Sequence, residues 1–173
     1  DVYKRQGLTT LDDKGFFFRT APSDARGGQI LADITKDRRV KSVAITYTNN
    51  DYGKGLADVY KAAVEAHGIK VTTVSAHEDG KADYSSEVAT LAAAGGDAVA
   101  VIGYLDQGGK GIIQGSLDSG AFDKFILSDG MIGDSLTDAF GKDLNKSFGS
   151  MPGSMNKKTA GTFTTVAKAA GID

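Results

Sequence analysis

The chain alternates short apolar runs with segments of helical periodicity, and this alternation limits its fold more than any other feature. Strands are predicted at residues 40–48, 69–75, 98–102, 125–127 and 147–151, and each is followed by apolar residues at helical spacing. The third run is wholly apolar, as expected for a strand covered on both faces. The pattern predicts an α/β fold with a doubly wound parallel sheet in three layers, α/β/α.

The helix boundaries are marked by turn residues. A first helix is predicted to begin near Ser23 or Asp24, directly after Pro22. Glycine follows the last apolar position of each later helix, where it is the preferred stop residue. The glycines that mark these ends are Gly68, Gly95, Gly120, Gly141 and Gly171.

Composition excludes several classes of function. The chain has 173 residues and no cysteine, which excludes disulfides and thiolate metal sites within it. Its net charge of -2 weighs against nucleic acid as a partner. Neither of its two histidines has a suitably spaced partner: His67 closes a helix, and His77 is interpreted as part of a polar loop. No metal or other cofactor is therefore expected.

Motifs for enzymatic chemistry are weak. There is no GxxxxGK[ST] phosphate loop and no GxSxG nucleophile elbow. The segment from Gly53 to Asp58 lacks the third glycine of a dinucleotide fingerprint and begins five residues past its strand. A flavodoxin-like nucleotide-binding enzyme is an alternative, but the turn after Thr48 is Asn-Asn-Asp-Tyr, whose carboxylate repels phosphate.

Three polar residues follow the carboxyl ends of predicted strands: Tyr52, Tyr104 and Asp129. In open α/β sheets ligands bind beyond these ends, so the three side chains are predicted to line one ligand site. Two phenols and a carboxylate suit a ligand with a cation and an apolar part. The competing interpretations are a core aromatic for Tyr52 and a plain turn for Asp129, while Asp106 is interpreted as a helix N-cap.

The order and spacing of four segments resemble the type I periplasmic binding proteins, in the leucine/isoleucine/valine-binding branch that serves ABC importers. The segments are residues 18–24, 50–55, 103–104 and 128–130, and the resemblance extends from Gly7 to Asp173. It implies two α/β lobes joined by crossover strands, with the ligand held between them. By this resemblance Tyr52 packs on the ligand, Tyr104 lines the pocket, and Asp129 pairs with the α-ammonium where many relatives have Glu.

The resemblance also implies a division of the chain. Residues 1–6 are expected to be a non-native leader, residues 7–24 a crossover from a missing first lobe, and residues 25–173 the second lobe, truncated at its C-terminal end. The absent lobe supplies the groups that bind the ligand's α-carboxylate in this family. The chain alone is therefore expected to bind amino acids only weakly.

The function implied by the resemblance is transport rather than catalysis. The chain would be the periplasmic substrate-binding component of an ABC importer, would bind a small amino-acid-like ligand by hinge closure, and would deliver it to a membrane permease. Branched-chain amino acids are the default ligands of the family, while relatives bind amides, urea and aromatic acids. A ligand-sensing domain of the same fold, for amides, urea or amino acids, is the alternative.

Overall fold

Five parallel strands form one sheet in a computed structural model, which describes residues 12, 14–16, 18, 22–153 and 157–171. The strand order is β2-β1-β3-β4-β5. The strands are β1 (Ser42–Thr48), β2 (Lys70–His77), β3 (Ala98–Ile102), β4 (Phe125–Leu127) and β5 (Phe148–Gly149). β1 is the first strand of this sheet along the chain, and later strands are added on both sides of it. The predicted doubly wound parallel sheet is therefore confirmed.

Helices connect the strands, as parallel pairing requires. The α-helices are α1 (Asp24–Asp37), α2 (Asp51–Ala66), α3 (Ser85–Ala94), α4 (Lys110–Ser119), α5 (Asp134–Phe140) and α6 (Lys157–Ala169). A π-helical turn at Leu105–Gly109 joins β3 to α4. Short 3-10 turns at Asp129–Met131 and Gly141–Leu144 flank α5.

Alternate residues of the strands are buried on opposite faces of the sheet. Val43 and Ile45 of β1 pack with α1 and α2, whereas Ala44 packs with α3 and α4. Every residue of β3 is fully buried, as its wholly apolar sequence indicates. The sheet therefore has a core on each face, and its carboxyl edge is the surface left for a site.

The structure corrects the predicted end of the second strand. β2 extends to His77, two residues further than predicted, and that side chain is only 1% exposed. The interpretation of His77 as a loop residue was therefore wrong. Its ring is held by the Thr46 hydroxyl, 2.8 Å from its Nδ1 atom, so one ring nitrogen has a partner inside the sheet, whereas the buried Nε2 has none among the described residues.

The structure also corrects Asp106. This residue lies in the first turn of the π-helical segment, whose N-cap is Tyr104, and its carboxylate pairs with Lys110 at 2.6 Å. It is therefore not an N-cap. Ser23, in contrast, does cap α1, accepting a hydrogen bond from the amide of Arg26 at 3.4 Å.

Other differences concern the ends of strands. β1 begins at Ser42 rather than at residue 40, and β5 is limited to Phe148–Gly149 rather than residues 147–151. The expected leader at residues 1–6 and most of the expected crossover at 7–24 lie outside the described residues. Among the helices of the described part, none is both long and apolar enough to cross a bilayer.

Candidate functional site

The sheet order brings the three predicted site residues together. β1, β3 and β4 are adjacent strands, so the turns that follow them meet at one edge of the sheet, called the rim here. Tyr52 follows β1, Tyr104 follows β3 and Asp129 follows β4. The rings of Tyr52 and Tyr104 have centroids 5.3 Å apart at an interplanar angle of 33°, a tilted contact within the distance range of aromatic pairs.

A short hydrogen bond joins the first and last of these turns. The Tyr52 hydroxyl donates to Oδ1 of Asp129 at 2.7 Å, and the Ser128 hydroxyl lies 3.5 Å from the same phenol oxygen. Ser128 in turn accepts a hydrogen bond from the amide of Gly103 at 3.2 Å. Carboxylate, phenol and serine therefore form one network across three strands.

Local sequence explains how Tyr52 reaches this position. Asn50 caps α2 by accepting a hydrogen bond from the amide of Gly53 at 2.8 Å, which fixes the first helical turn around Tyr52. At Gly53 a Cβ atom would stand 2.2 Å from the carbonyl oxygen of Thr48. Only glycine allows the start of α2 to pack so closely against the end of β1. Tyr52 is 6% exposed and its hydroxyl still reaches Asp129, so the core and site interpretations of this residue are compatible.

A second glycine sets the approach of the β3 and β4 turns. A Cβ atom on Gly130 would lie 2.4 Å from the carbonyl oxygen of Gly103 and 3.2 Å from Cδ1 of Tyr104. The 3-10 turn that carries Asp129 therefore packs directly against the turn that carries Tyr104. Any larger residue at position 130 would push the carboxylate away from the aromatic pair.

The rim is electronegative. Burial raises the pKa of Tyr52 well above its usual range, and the neighbouring charge of Asp129 raises it further, although the Ser128 hydroxyl opposes this. Burial also raises the pKa of Tyr104, followed by the negative charges of Asp79, Asp129 and Asp24. Both phenols are therefore neutral at physiological pH, and the charge beside them comes from carboxylates.

Sequence reasoning missed Ser128, Thr48 and Asp79. Ser128 precedes Asp129 in the same turn, and Thr48 is the last residue of β1, so position alone could have indicated both. Asp79 accepts a hydrogen bond from the Thr48 hydroxyl at 2.6 Å. It was missed because β2 was predicted to end at residue 75, which removed the following residues from the rim.

A cavity of about 250 Å³ adjoins Asp129 on the side of α1. It lies beside the aromatic pair rather than over it, and its apolar wall includes Ile30, Leu31 and Leu56. Its polar lining comes from both sides and consists of Ser23, Asp24, Arg26, Ser128, Asp129 and Ser150. A ligand whose cation contacts Asp129 could thus place an apolar group against either surface.

Within the described residues, no three His, Asp or Glu side chains are grouped to hold a metal ion. The donor set of the rim consists of phenols, hydroxyls and single carboxylates. This arrangement provides hydrogen-bond acceptors and aromatic faces for an organic cation.

Comparison with known proteins identifies the family. A family model described as "Periplasmic binding protein" matches residues 4–170. "Leu/Ile/Val-binding protein homolog 1" of Brucella melitensis is 31% identical over 143 residues, which cover 80% of this chain and 36% of that protein. "Leu/Ile/Val-binding protein homolog 3" of the same organism is 37% identical over 93 residues, 53% of this chain and 25% of that protein.

A solved structure agrees with the fold. The periplasmic binding protein type 1 from Bordetella pertussis superposes with a TM-score of 0.73 at 21% identity, covering 88% of this chain and 41% of that one. The chain thus spans roughly a quarter to two-fifths of the length of these relatives. The chain belongs to the type I periplasmic binding protein family, in the branch of the Leu/Ile/Val-binding proteins.

Proposed function

We propose that this chain is one ligand-binding lobe of the periplasmic substrate-binding component of an ABC importer, and that Asp129 binds the α-ammonium group of an amino acid. The observation that carries the proposal is the hydrogen bond of 2.7 Å from Tyr52 to Asp129, beside the ring of Tyr104, whose centroid lies 5.3 Å from that of Tyr52. This bond occupies part of the carboxylate and orients it. A charge-assisted hydrogen bond to an ammonium group is among the stronger polar contacts available.

Tyr52 and Tyr104 would supply the apolar part of the site. Tyr104 is half-buried and Tyr52 is buried behind it, so the exposed part of the Tyr104 ring can pack on an aliphatic stem. A cation close to an aromatic face gains further from the ring quadrupole. The Leu/Ile/Val-binding protein homologs of Brucella melitensis are named for branched-chain amino acids, whose aliphatic stems would pack on this ring.

The mechanism would be closure of a second lobe over the rim. Since this lobe offers acceptors to the ammonium, the facing lobe must bind the α-carboxylate. A ligand that contacts both lobes favours the closed state, which a membrane permease then distinguishes from the open one. A sensor domain of the same fold would share this site and differ only in its downstream partner.

Titration of the ¹⁵N-labelled chain with L-leucine, followed by NMR, tests the proposal. The lobe alone makes half of the contacts, so we expect a dissociation constant on the order of millimolar. The amides of Gly103, Tyr104 and Gly130 should shift together in a saturable manner. Asp129→Asn should abolish these shifts.

The matched control is Asp118→Asn, which removes an equal charge near the C-terminal end of α4, where the carboxylate accepts a hydrogen bond from Gln114 at 2.7 Å and takes no part in the rim network. This variant should leave the titration unchanged. Shifts of the rim amides that persist in Asp129→Asn, or no shift in the unmodified chain, would contradict the proposal.

A further inference from the structure

A second carboxylate stands on the rim, on the other side of Tyr104 from Asp129. Asp79 is bonded to Thr48 at the end of β1, Tyr104 follows β3, and Asp129 follows β4. Since these three strands are adjacent, the order along the rim is Asp79, Tyr104, Asp129. Two strand spacings separate the outer two positions, about 10 Å.

The loop that carries Asp79 is fixed across the end of the sheet. The amide of Gly80 donates to the carbonyl oxygen of Gln107 at 2.5 Å, which ties the loop after β2 to the π-helical turn after β3. The buried Tyr84 hydroxyl lies within hydrogen-bond distance of the same Gln107 carbonyl, at 2.8 Å, and of the Glu78 carbonyl, at 2.9 Å. It also accepts from the amide of Lys81 at 3.2 Å. These bonds hold Asp79 at the rim without help from a ligand.

Three lysines near the rim pair with other carboxylates. Lys54 at the start of α2 pairs with Asp58, Lys81 with Glu87, and Lys110 with Asp106, at 2.5 to 2.7 Å. His77 lies below the loop, and burial lowers its pKa against the opposing charges of Asp79, Glu87 and Glu78. Its ring therefore contributes no positive charge near neutral pH.

The charge of Asp79 reaches the aromatic that separates it from Asp129. After burial, Asp79 is the largest contributor to the raised pKa of Tyr104, ahead of Asp129. Asp79 itself is exposed, with one oxygen held by Thr48. A ligand lying on Tyr104 would therefore meet a carboxylate at each end.

We propose that Asp79 is a specificity-determining residue, which selects amino acids whose side chain ends in a hydrogen-bond donor, an ammonium or an amide. The inference rests on the proposed function, because Asp129 is taken to hold the α-ammonium. If each carboxylate accepts a hydrogen bond of about 2.8 Å from the ligand, the two donor atoms of the ligand lie roughly 4–5 Å apart within the separation of about 10 Å between Asp79 and Asp129. A stem of two or three carbon atoms fits that gap while packing on Tyr104.

Two ligands of the same shape test the proposal. L-2,4-Diaminobutyrate and L-norvaline differ only in the end of the side chain, which is an ammonium in one and a methyl in the other. We expect the ¹⁵N-labelled chain to bind the diamine about 3- to 10-fold more tightly, measured from the shifts of the Gly103, Tyr104 and Gly130 amides. The titrations are run at about 0.15 M salt, which screens the general attraction of a cation to an acidic chain.

Asp79→Asn should bring the ratio of the two dissociation constants to about one, while its amide oxygen can still accept from Thr48. Asp118→Asn, with the same change in net charge, should leave the ratio unchanged. A ratio near one in the unmodified chain, or one that survives Asp79→Asn, would overturn the inference.

Failure of the inference is distinguishable from failure of the proposed function. Equal binding of both ligands that is lost in Asp129→Asn would reject Asp79 and support Asp129. No shift of the rim amides with either ligand would reject both.

Discussion

At the scale of single residues, the bond between Tyr52 and Asp129 should contribute to stability as well as to binding. We expect Tyr52→Phe to lower the free energy of unfolding by about 1–2 kcal/mol, near the range for a hydrogen bond to a charged group. Solvent can rehydrate the half-buried Asp129, which keeps the loss moderate. Urea denaturation measures it.

Tyr47→Phe provides the control, because it removes a phenol oxygen from half-buried Tyr47 within β1. Its effect should stay within about 0.5 kcal/mol. Equal losses in the two variants would show that the contact with Asp129 adds nothing to the fold.

His77 gives a second expectation for a single residue, on pH. Its folded-state pKa is lowered by burial, so the unfolded chain binds more protons between that value and the ordinary histidine pKa of about 6.5. Its contribution to stability is therefore fully present above about pH 6.5 and is lost as the pH falls through the folded pKa. Urea midpoints measured from pH 7.5 to 5 should decline.

Replacing the histidine tests the source of this decline. His77→Gln should remove most of the decline, whereas His67→Gln, at the half-buried C-cap of α2 beside Asp33, should retain it. The same pH profile in all three proteins would assign the effect to other groups.

At the scale of elements, the close approach of the turns after β3 and β4 requires glycine at position 130. We expect Gly130→Ala to destabilise the protein by about 1–3 kcal/mol, the usual range for overpacking, because its Cβ would lie 2.4 Å from a backbone oxygen. The 3-10 turn would have to move, and the distance from Tyr52 to Asp129 would lengthen with it. Thermal unfolding checks the first effect.

A second glycine serves as the matched control. Gly55 lies within α2 with nothing within 4 Å of its Cβ position, so Gly55→Ala should stabilise the helix by about 0.5–1 kcal/mol. Similar changes in both variants would mean that the turn tolerates a side chain at position 130.

The sequence predicts most of these elements because their signals are local. Fully apolar β3 and β4 were predicted with their observed ends, and Gly120 ends α4 in the left-handed conformation that glycine favours. The predicted second strand ended two residues before the observed end of β2, because His77 was interpreted as a loop residue from its polarity. The hydrogen bond that accommodates His77 comes from Thr46 on the neighbouring strand. That error removed Asp79 from the predicted rim.

The candidate site shows the same division between local and tertiary information. Tyr52, Tyr104 and Asp129 were found from their positions after strands, since parallel strands share one carboxyl edge. The contact of Tyr52 with Asp129 and the approach of Gly130 to Gly103 depend on sheet order and turn geometry. Neither can be read from spacing along the chain.

At the scale of the whole molecule, we propose that the rim supplies half of a binding site. It carries carboxylates and aromatic rings, and the chain spans about a third of the length of a relative that it matches over 80% of its own residues. A ligand held between two lobes would gain affinity from the second set of contacts and from exclusion of water. The lobe described here should therefore bind weakly but already discriminate by charge.

The central claim is that this rim binds the ammonium end of its ligand. The most direct measurement is an NMR titration of the chain with isoamylamine and, separately, with 4-methylpentanoate, which keep the aliphatic part of leucine but carry only the ammonium or only the carboxylate. We expect the amine to shift the amides of Tyr104 and Gly130, Asp129→Asn to remove the effect, and the acid to cause none. Equal binding of the acid at the rim, or no response to the amine, would contradict the binding of an ammonium group by Asp129.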